Sequence, residues 1–358
     1  MYDRDTAMLE KYDLTVKNIR KVRGGWLCIA QEGLFLWKEN RSGEERLGLE
    51  DEICRTAEKM GISHIWNCAG GSDSLRMDRF VRNRDGKLLT EDDYGRKFVL
   101  KEWIEGRECD VKNAEDLRNG ARAAACMHQI LRAVKAEFDK KKGEDSGDEI
   151  SESGDKGECR AAVLAVQEPY EELWSRRKRE ISRVQAYVRR RRNKNSFEQL
   201  AMKETPYYAG QAQEALILLE QVSRKMPKQI CHGDFHYHNL IYGKQENWIC
   251  QSSRFHLGYQ IADFYLFLRK CMEKQGWNWQ LARELLNLYR RCCPVTKEEM
   301  QLLYCLFLFP EKYWKQMNFY VQSNKAWMPE KNIVKLRNLI EQEARRQEFL
   351  KNLQRMMQ

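Results

Sequence analysis

Over the first hundred residues the apolar positions come in short runs or alternate, the pattern of strands. Residues 14–19 and 25–30 read this way, and the Gln31-Glu32-Gly33 turn leads into Leu34-Phe35-Leu36-Trp37-Lys38, which together predict a β-meander. A helix is predicted over 49–60. A further strand pair, 75–82 and 97–103, is joined through the turn signal Asn83-Arg84-Asp85-Gly86. Beyond this point the period changes to that of helices, predicted over 113–134, 161–170, 176–194, 207–225, 261–275, 279–291 and 297–309, with one long charged helix over 332–358. Strands first and helices afterwards predict an α+β, bilobal architecture: a small antiparallel β lobe over 1–103 and a larger, mostly helical lobe over 104–358.

Composition narrows the picture. The chain has 358 residues, enough for a sizeable core in one large domain or two lobes, and its 42% hydrophobic content excludes global disorder. The first twenty residues mix acids and bases with isolated hydrophobics, so no secretory signal is read there, and no apolar run is long enough to span a membrane. A soluble intracellular product is the expectation. Twelve cysteines are scattered without a Cys-x-x-Cys pair, so reduced thiols are expected, with cross-linking open to exposed ones in an oxidising assembly.

The net charge of +10 is unevenly spread. Residues 176–194 interleave ten Arg and Lys with Ile181, Val184, Tyr187 and Val188, which predicts an amphipathic helix with a basic face. Such a face is commonly just solvated. It also suits an acidic protein surface or nucleic acid, although no nucleic-acid recognition motif accompanies it. Residues at about 140–158 have almost no apolar content and are expected to form a disordered insertion.

The chemistry concentrates in residues 230–242, Ile-Cys-His-Gly-Asp-Phe-His-Tyr-His-Asn-Leu-Ile-Tyr, which set Asp234 and Asn239 five residues apart between two short strands. That spacing suits phosphoryl transfer: Asp234 as the base that takes the proton of an attacking hydroxyl, Asn239 as a Mg²⁺ ligand. The alternative is a polar hairpin with His and Asn as turn residues. Lys38, ending the third strand, stands where an ammonium would meet nucleotide phosphates, with Glu52 of the following helix as its expected acidic partner. Glu102 and Ile104 would form a hinge whose backbone meets an adenine edge; the plainer readings are a surface acid and a core hydrophobe. Such a site needs a second metal carboxylate after the strand at 248–250. Gln251-Ser252-Ser253 follows instead, with no carboxylate between Glu246 and Asp263.

The chain resembles the aminoglycoside phosphotransferase and choline-kinase-like group, and more closely the CotS family of spore coat proteins in endospore-forming Firmicutes, clostridial members above all. The blocks that carry the resemblance are Tyr12-Asp13-Leu14, the run from Glu102 through Asp110, the loop from Ile230 to Asn239, Arg254-Phe255-His256-Leu257-Gly258, Phe267-Leu268-Arg269-Lys270, Pro310 through Lys315, and Asn324-Lys325-Ala326-Trp327. The resemblance implies a protein-kinase-like fold and a role in building the spore coat among other coat proteins. It also implies synthesis in the mother-cell cytoplasm before assembly on the forespore. By its motif Asp234 is the catalytic base, Asn239 a metal ligand, Lys38 the phosphate-contacting lysine and position 251 the second metal ligand, with ATP and Mg²⁺ as cofactors. The wider group has Asp at position 251, and clostridial members have Asn. Gln251 departs from both and puts catalysis, not the fold, in question. Three readings follow: a structural coat component with a degenerate kinase fold (a pseudokinase), an active phosphotransferase acting on a coat protein or a small hydroxyl compound, and a nucleic-acid binder using the basic helix.

Overall fold

The computed structural model describes residues 7–22, 24–144, 164–222, 226–322 and 330–357. The chain divides into two compact units, one of Met1–Val166, Gln229–Asp263 and Arg291–Cys293, the other of Gln167–Lys228, Phe264–Arg290 and Pro294–Gln358. The expected boundary at residue 103 falls inside the first unit, because the chain returns at Gln229 to complete it.

The first unit contains strands β1 (Val16–Val22), β2 (Gly25–Ala30), β3 (Leu34–Glu39), helices α1 (Glu44–Lys59) and α2 (Ile62–Cys68), strands β4 (Ser74–Met77), β5 (Phe80–Val81), β6 (Leu89–Glu91), β7 (Lys97–Glu102) and β8 (Arg107–Glu108), helix α3 (Ala114–Glu144), and strands β9 (Gln229–Cys231), β10 (Leu240–Tyr242), β11 (Glu246–Ile249) and β12 (His256–Gly258). The meander forms as expected, β1, β2 and β3 pairing antiparallel and β3 continuing onto β7 with Leu36 opposite Lys101, Trp37 opposite Leu100 and Lys38 opposite Val99. Side chains alternate across a strand, so Trp37, Phe98 and Leu100 share one face while Lys38 and Lys101 share the other. On the first face Trp37 stacks on Phe98 at 5.1 Å and meets Tyr12 edge-on at 5.7 Å, within a core that includes Met8, Leu9 and Cys28. Each such ring pair adds about 0.5–1.5 kcal/mol beyond its buried area.

Two expectations for this unit are corrected. Residues 75–82 are not one strand: the chain breaks at Asp78 and Arg79, and β4 joins a second sheet, parallel to β11 in the order β4-β11-β10-β8. Leu75 and Met77 are buried there, while Arg79 is held by Glu58 and Glu102. The Asn83–Gly86 turn does form, with a hydrogen bond from the Gly86 N–H to the Asn83 carbonyl, but it leads from β5 into β6, both of which lie along β7. Helix α1 also starts earlier than 49, at Glu44, whose carboxylate accepts from the backbone N–H groups of Leu88 and Leu89.

Helices make up the second unit: α4 (Tyr170–Arg190), α5 (Ser196–Glu220), most of α6 (Gln260–Met272) and of α7 (Trp279–Cys292), and α8 (Lys297–Leu308), α9 (Glu311–Gln322), α10 (Glu330–Glu341) and α11 (Glu343–Met357). Asn195 and Glu198 form a capping box at the start of α5, and Thr296 and Glu299 another at α8. Ile181, Val184 and Val188 bury one stripe of α4 against Phe197, Ala201, Tyr313 and Tyr320. The basic helix is therefore real, although it begins at Tyr170 and ends at Arg190. No helix spans 161–170: residues 164–169 are non-helical, Val166 bridges to Leu257, and 161–163 lie outside the described residues. The C-terminal run is two helices, not one. A break at Gln342 turns α11 onto α8, where the Arg346 guanidinium donates to the carbonyls of Phe307 and Leu308, both at 2.8 Å. Of the insertion expected at about 140–158, residues 140–144 continue α3 and the rest lies outside the described residues, as do Asn324 to Trp327. Among the described residues no helix is long and apolar enough to cross a membrane.

Candidate functional site

The loop from His232 to Asn239 is set by backbone demands in the first unit. β9 pairs antiparallel with β12, and between His232 and Asp234 the chain turns through Gly233 at φ 80°. A Cβ at Gly233 would lie 2.4 Å from the Arg254 carbonyl oxygen, so only glycine fits. The fully buried Asp263, in the first turn of α6, accepts the N–H groups of His232 at 2.6 Å and Gly233 at 2.9 Å. Burial alone would raise its carboxyl pKa, but the neighbouring imidazole of His128, whose Nε2 lies 3.4 Å away, holds it below the usual carboxylate value. His232 faces the Cys250 carbonyl with Nε2 at 3.0 Å and the Asp234 N–H with Nδ1 at 3.3 Å. Both contacts are satisfied by a neutral ring with its proton on Nε2, and burial lowers its pKa from 6.5.

This scaffold holds Asp234 with Oδ1 3.3 Å from His236 Nε2 and Oδ2 3.8 Å from Arg254 Nη1. Asn239 is buried, and its amide nitrogen donates to the Asp234 carbonyl at 2.8 Å, while its own carbonyl accepts the Cys250 N–H at 2.9 Å. The two polar residues of the motif are thus locked to one another through the backbone, and the Cys250 tie fixes residue 251 beside them. Gln251 adopts φ 68°, in the left-handed region that a branched or bulky residue rarely enters. Its Oε1 accepts a hydrogen bond from Lys38 Nζ at 3.0 Å. Lys38 and Gln251 are 213 positions apart in the sequence and meet in the fold.

The surroundings of Lys38 are strongly charged. Burial and the like charge of Lys101 lower its pKa, and Arg254 adds to this, while Asp78 and Glu50 oppose it. An α1 acid that acts on Lys38 is Glu50. Two residues along a helix turn the side chain by roughly 200°, which puts the half-buried Glu52 on another face. Glu50 is fully buried, bonded to Arg46 at 2.9 Å, and its Oε2 has no hydrogen-bond partner among the described residues. Arg46 in turn donates to the Phe255 carbonyl, tying α1 to the segment after Gln251. Next to this lies an ion pair that sequence reasoning missed: Lys101 Nζ and Asp78 Oδ2 are 2.9 Å apart, each about 7% exposed, with the ammonium 4.2 Å from the Phe80 ring centre. At the expected hinge, the N–H of Glu102 donates to the Arg79 carbonyl and that of Trp103 to the Leu34 carbonyl, while Ile104 is half-buried.

The comparisons with known proteins agree with this fold. A solved aminoglycoside phosphotransferase from Alicyclobacillus acidocaldarius matches with a TM-score of 0.79 at 16% identity, over 98% of this chain and 96% of that one. The amicoumacin kinase hAmiN, solved in complex with AMP-PNP, Ca²⁺ and Ami, gives 0.57 at 13% identity over 98% and 94%, and a microcompartment-associated aminopropanol kinase gives 0.53 at 11% over 98% and 97%. At these identities the likeness is one of fold: α+β and kinase-like. No curated protein matches the chain. The family model described as "Spore coat putative kinase YutH" matches residues 128–353, more than half of the sequence. The chain belongs to this spore coat kinase-like family.

Proposed function

We propose that the protein acts in assembly of the spore coat as a degenerate kinase, one that keeps the fold and the catalytic-type loop while the metal-dependent chemistry is lost. The observation that carries this reading is the hydrogen bond from Lys38 Nζ to Gln251 Oε1. Mg²⁺ on nucleotide phosphates is gripped by hard oxygens, above all carboxylates. At position 251 the oxygen is that of a neutral amide, and an ammonium already occupies it. With a neutral amide at position 251 in place of a carboxylate, the donors around Asp234 and Asn239 fit poorly the metal that the fold implies. ATP is better served, by the Lys38 ammonium and by backbone groups at Glu102 and Ile104, and in this reading a nucleotide would bind without being turned over.

A coat component needs partner surfaces. On α4, Arg179, Arg183, Arg189 and Arg190 are exposed, whereas Arg177 is spent on Glu311 and the Trp314 ring. An acidic face of another coat protein is the partner this helix suits, with the protein made in the mother cell and deposited on the spore.

The test is genetic. Spores carrying Asp234→Ala at the native locus are compared with spores lacking the gene, by the protein profile of the extracted coat. The proposal predicts a normal profile with Asp234→Ala and an altered one in the deletion. A coat equally altered by both would place catalysis at the centre of the role and overturn it.

A further inference from the structure

The helical unit encloses a cavity of about 420 Å³ between α5, α6, α8, α9, α10 and α11 that the phosphoryl-transfer loop does not use. Six of its lining side chains are aromatic. Tyr265 meets Phe307 edge-on at 4.9 Å, and Tyr208 stacks on Tyr313 at 4.2 Å. The charges around these rings are unbalanced, six Arg and Lys side chains against three Glu.

Each of those acids is already neutralised. Glu273 pairs with Arg269 and with Lys312 at 2.7 Å, Glu311 with Arg177 and with Lys315 at 3.3 Å, and Glu343 with Arg346 at 2.7 Å. Lys274 and Lys335 remain, both exposed at the rim. Inside, Arg269 is only 7% exposed and lies 5.6 Å from the Tyr265 ring, and its buried Nε has no hydrogen-bond partner among the described residues. A buried N–H left without an acceptor is costly, and an arginine beside an aromatic wall is suited to a planar anion.

We propose that this cavity is a binding site for a small organic anion with a flat, apolar body, of the class of an aromatic carboxylate. The aromatic walls would take the ring, Arg269 the carboxylate, and Lys274 and Lys335 the approach. The volume lies in the range of small-ligand pockets and admits one or two fused rings. The site stands apart from the kinase-like reading, since none of its residues belongs to the loop at 232–239 or to its neighbours around Lys38.

The test uses the full-length protein and calorimetric titration with 2-naphthoate, with 2-naphthylmethanol as the neutral counterpart and acetate as the ringless anion. The expected result is saturable naphthoate binding, at least tenfold tighter than that of the alcohol, with no saturation by acetate. Lys274→Glu/Lys335→Glu, both exposed and so compatible with folding, should weaken naphthoate at least tenfold while the unfolding temperature holds. Arg269→Gln should weaken it further. Equal affinity for acid and alcohol, no saturable naphthoate binding, or naphthoate binding unchanged in the rim variant would each overturn the proposal.

Discussion

Lys38 Nζ rests 3.0 Å from Gln251 Oε1, joining the end of β3 to the residue that follows the strand beside the catalytic-type loop. In a site built for phosphoryl transfer, an ammonium and a metal-bound carboxylate divide the phosphate charge between them. Here the ammonium and a neutral amide satisfy each other, with Arg254 and Lys101 adding positive charge that lowers the Lys38 pKa alongside burial. Gln251→Asp replaces the amide by a carboxylate and should move the Lys38 pKa upward, since an opposite charge favours the ammonium. Titration of the Lys38 side-chain carbon resonances in the two proteins checks this; an unchanged or lowered value in the variant would mean that residue 251 does not face Lys38.

Asp263 anchors the loop by accepting two backbone N–H groups, those of His232 and Gly233. In Asp263→Asn one of these donors meets an amide NH₂ in place of an oxygen, inside the core. The expected cost is about 3 kcal/mol. It would be read as a lower urea midpoint at an unchanged slope, and a midpoint equal to that of the unmodified protein would refute the anchoring role.

The pair of Lys101 and Asp78 gives a sharper stability test. Lys101→Met alone strands a buried carboxylate and should cost about 3–5 kcal/mol, whereas adding Asp78→Leu should recover much of the loss, because a buried pair is costly to break but replaceable by apolar side chains. Additive losses in this double-mutant cycle would show that the two groups are not coupled.

His232 gives the protein a defined response to acid. Its native pKa is lowered by burial from 6.5, so the unfolded chain takes up a proton near that value while the native ring stays neutral. The stability from this group is fully present above pH 6.5 and is lost as pH falls through that value towards the native pKa. Asp263, whose native pKa is lowered from 3.8, acts in the same direction at lower pH. Melting temperatures between about pH 7.5 and 5.5 should fall on acidification, and less steeply in His232→Gln. Parallel slopes for the two proteins would contradict this account.

The parts of the site legible in the sequence are those whose partners lie close along the chain. Asp234 and Asn239 are tied across five residues, and the β-meander that carries Lys38 is a local run of hairpins. The parts that escaped depend on distant pairing. Asp263 reaches the loop across 31 residues and, as an acid in the first turn of a helix, reads in sequence as an ordinary dipole-favoured position. Lys101 looks like the polar residue of a half-exposed strand until β3 and β5 close on both sides of β7 and Asp78 turns in beneath it. Glu50 and Glu52 differ in helical phase, and which face of α1 is buried depends on the elements that pack on it; Glu50 is on the buried face. β4 looks like a partner for β7, yet it pairs parallel with β11, a choice made more than 160 residues away.

The central claim, that the metal-dependent chemistry is lost, is tested most directly by Mg²⁺-dependent ATP turnover in the purified protein, with Asp234→Ala as the blank and Gln251→Asp as the restored form. Losing one preorganised group that neutralises transition-state charge costs on the order of 10² to 10³ in rate. The account predicts that the unmodified protein is indistinguishable from Asp234→Ala, and that any gain appears only in Gln251→Asp. Robust turnover in the unmodified protein, abolished by Asp234→Ala, would contradict it.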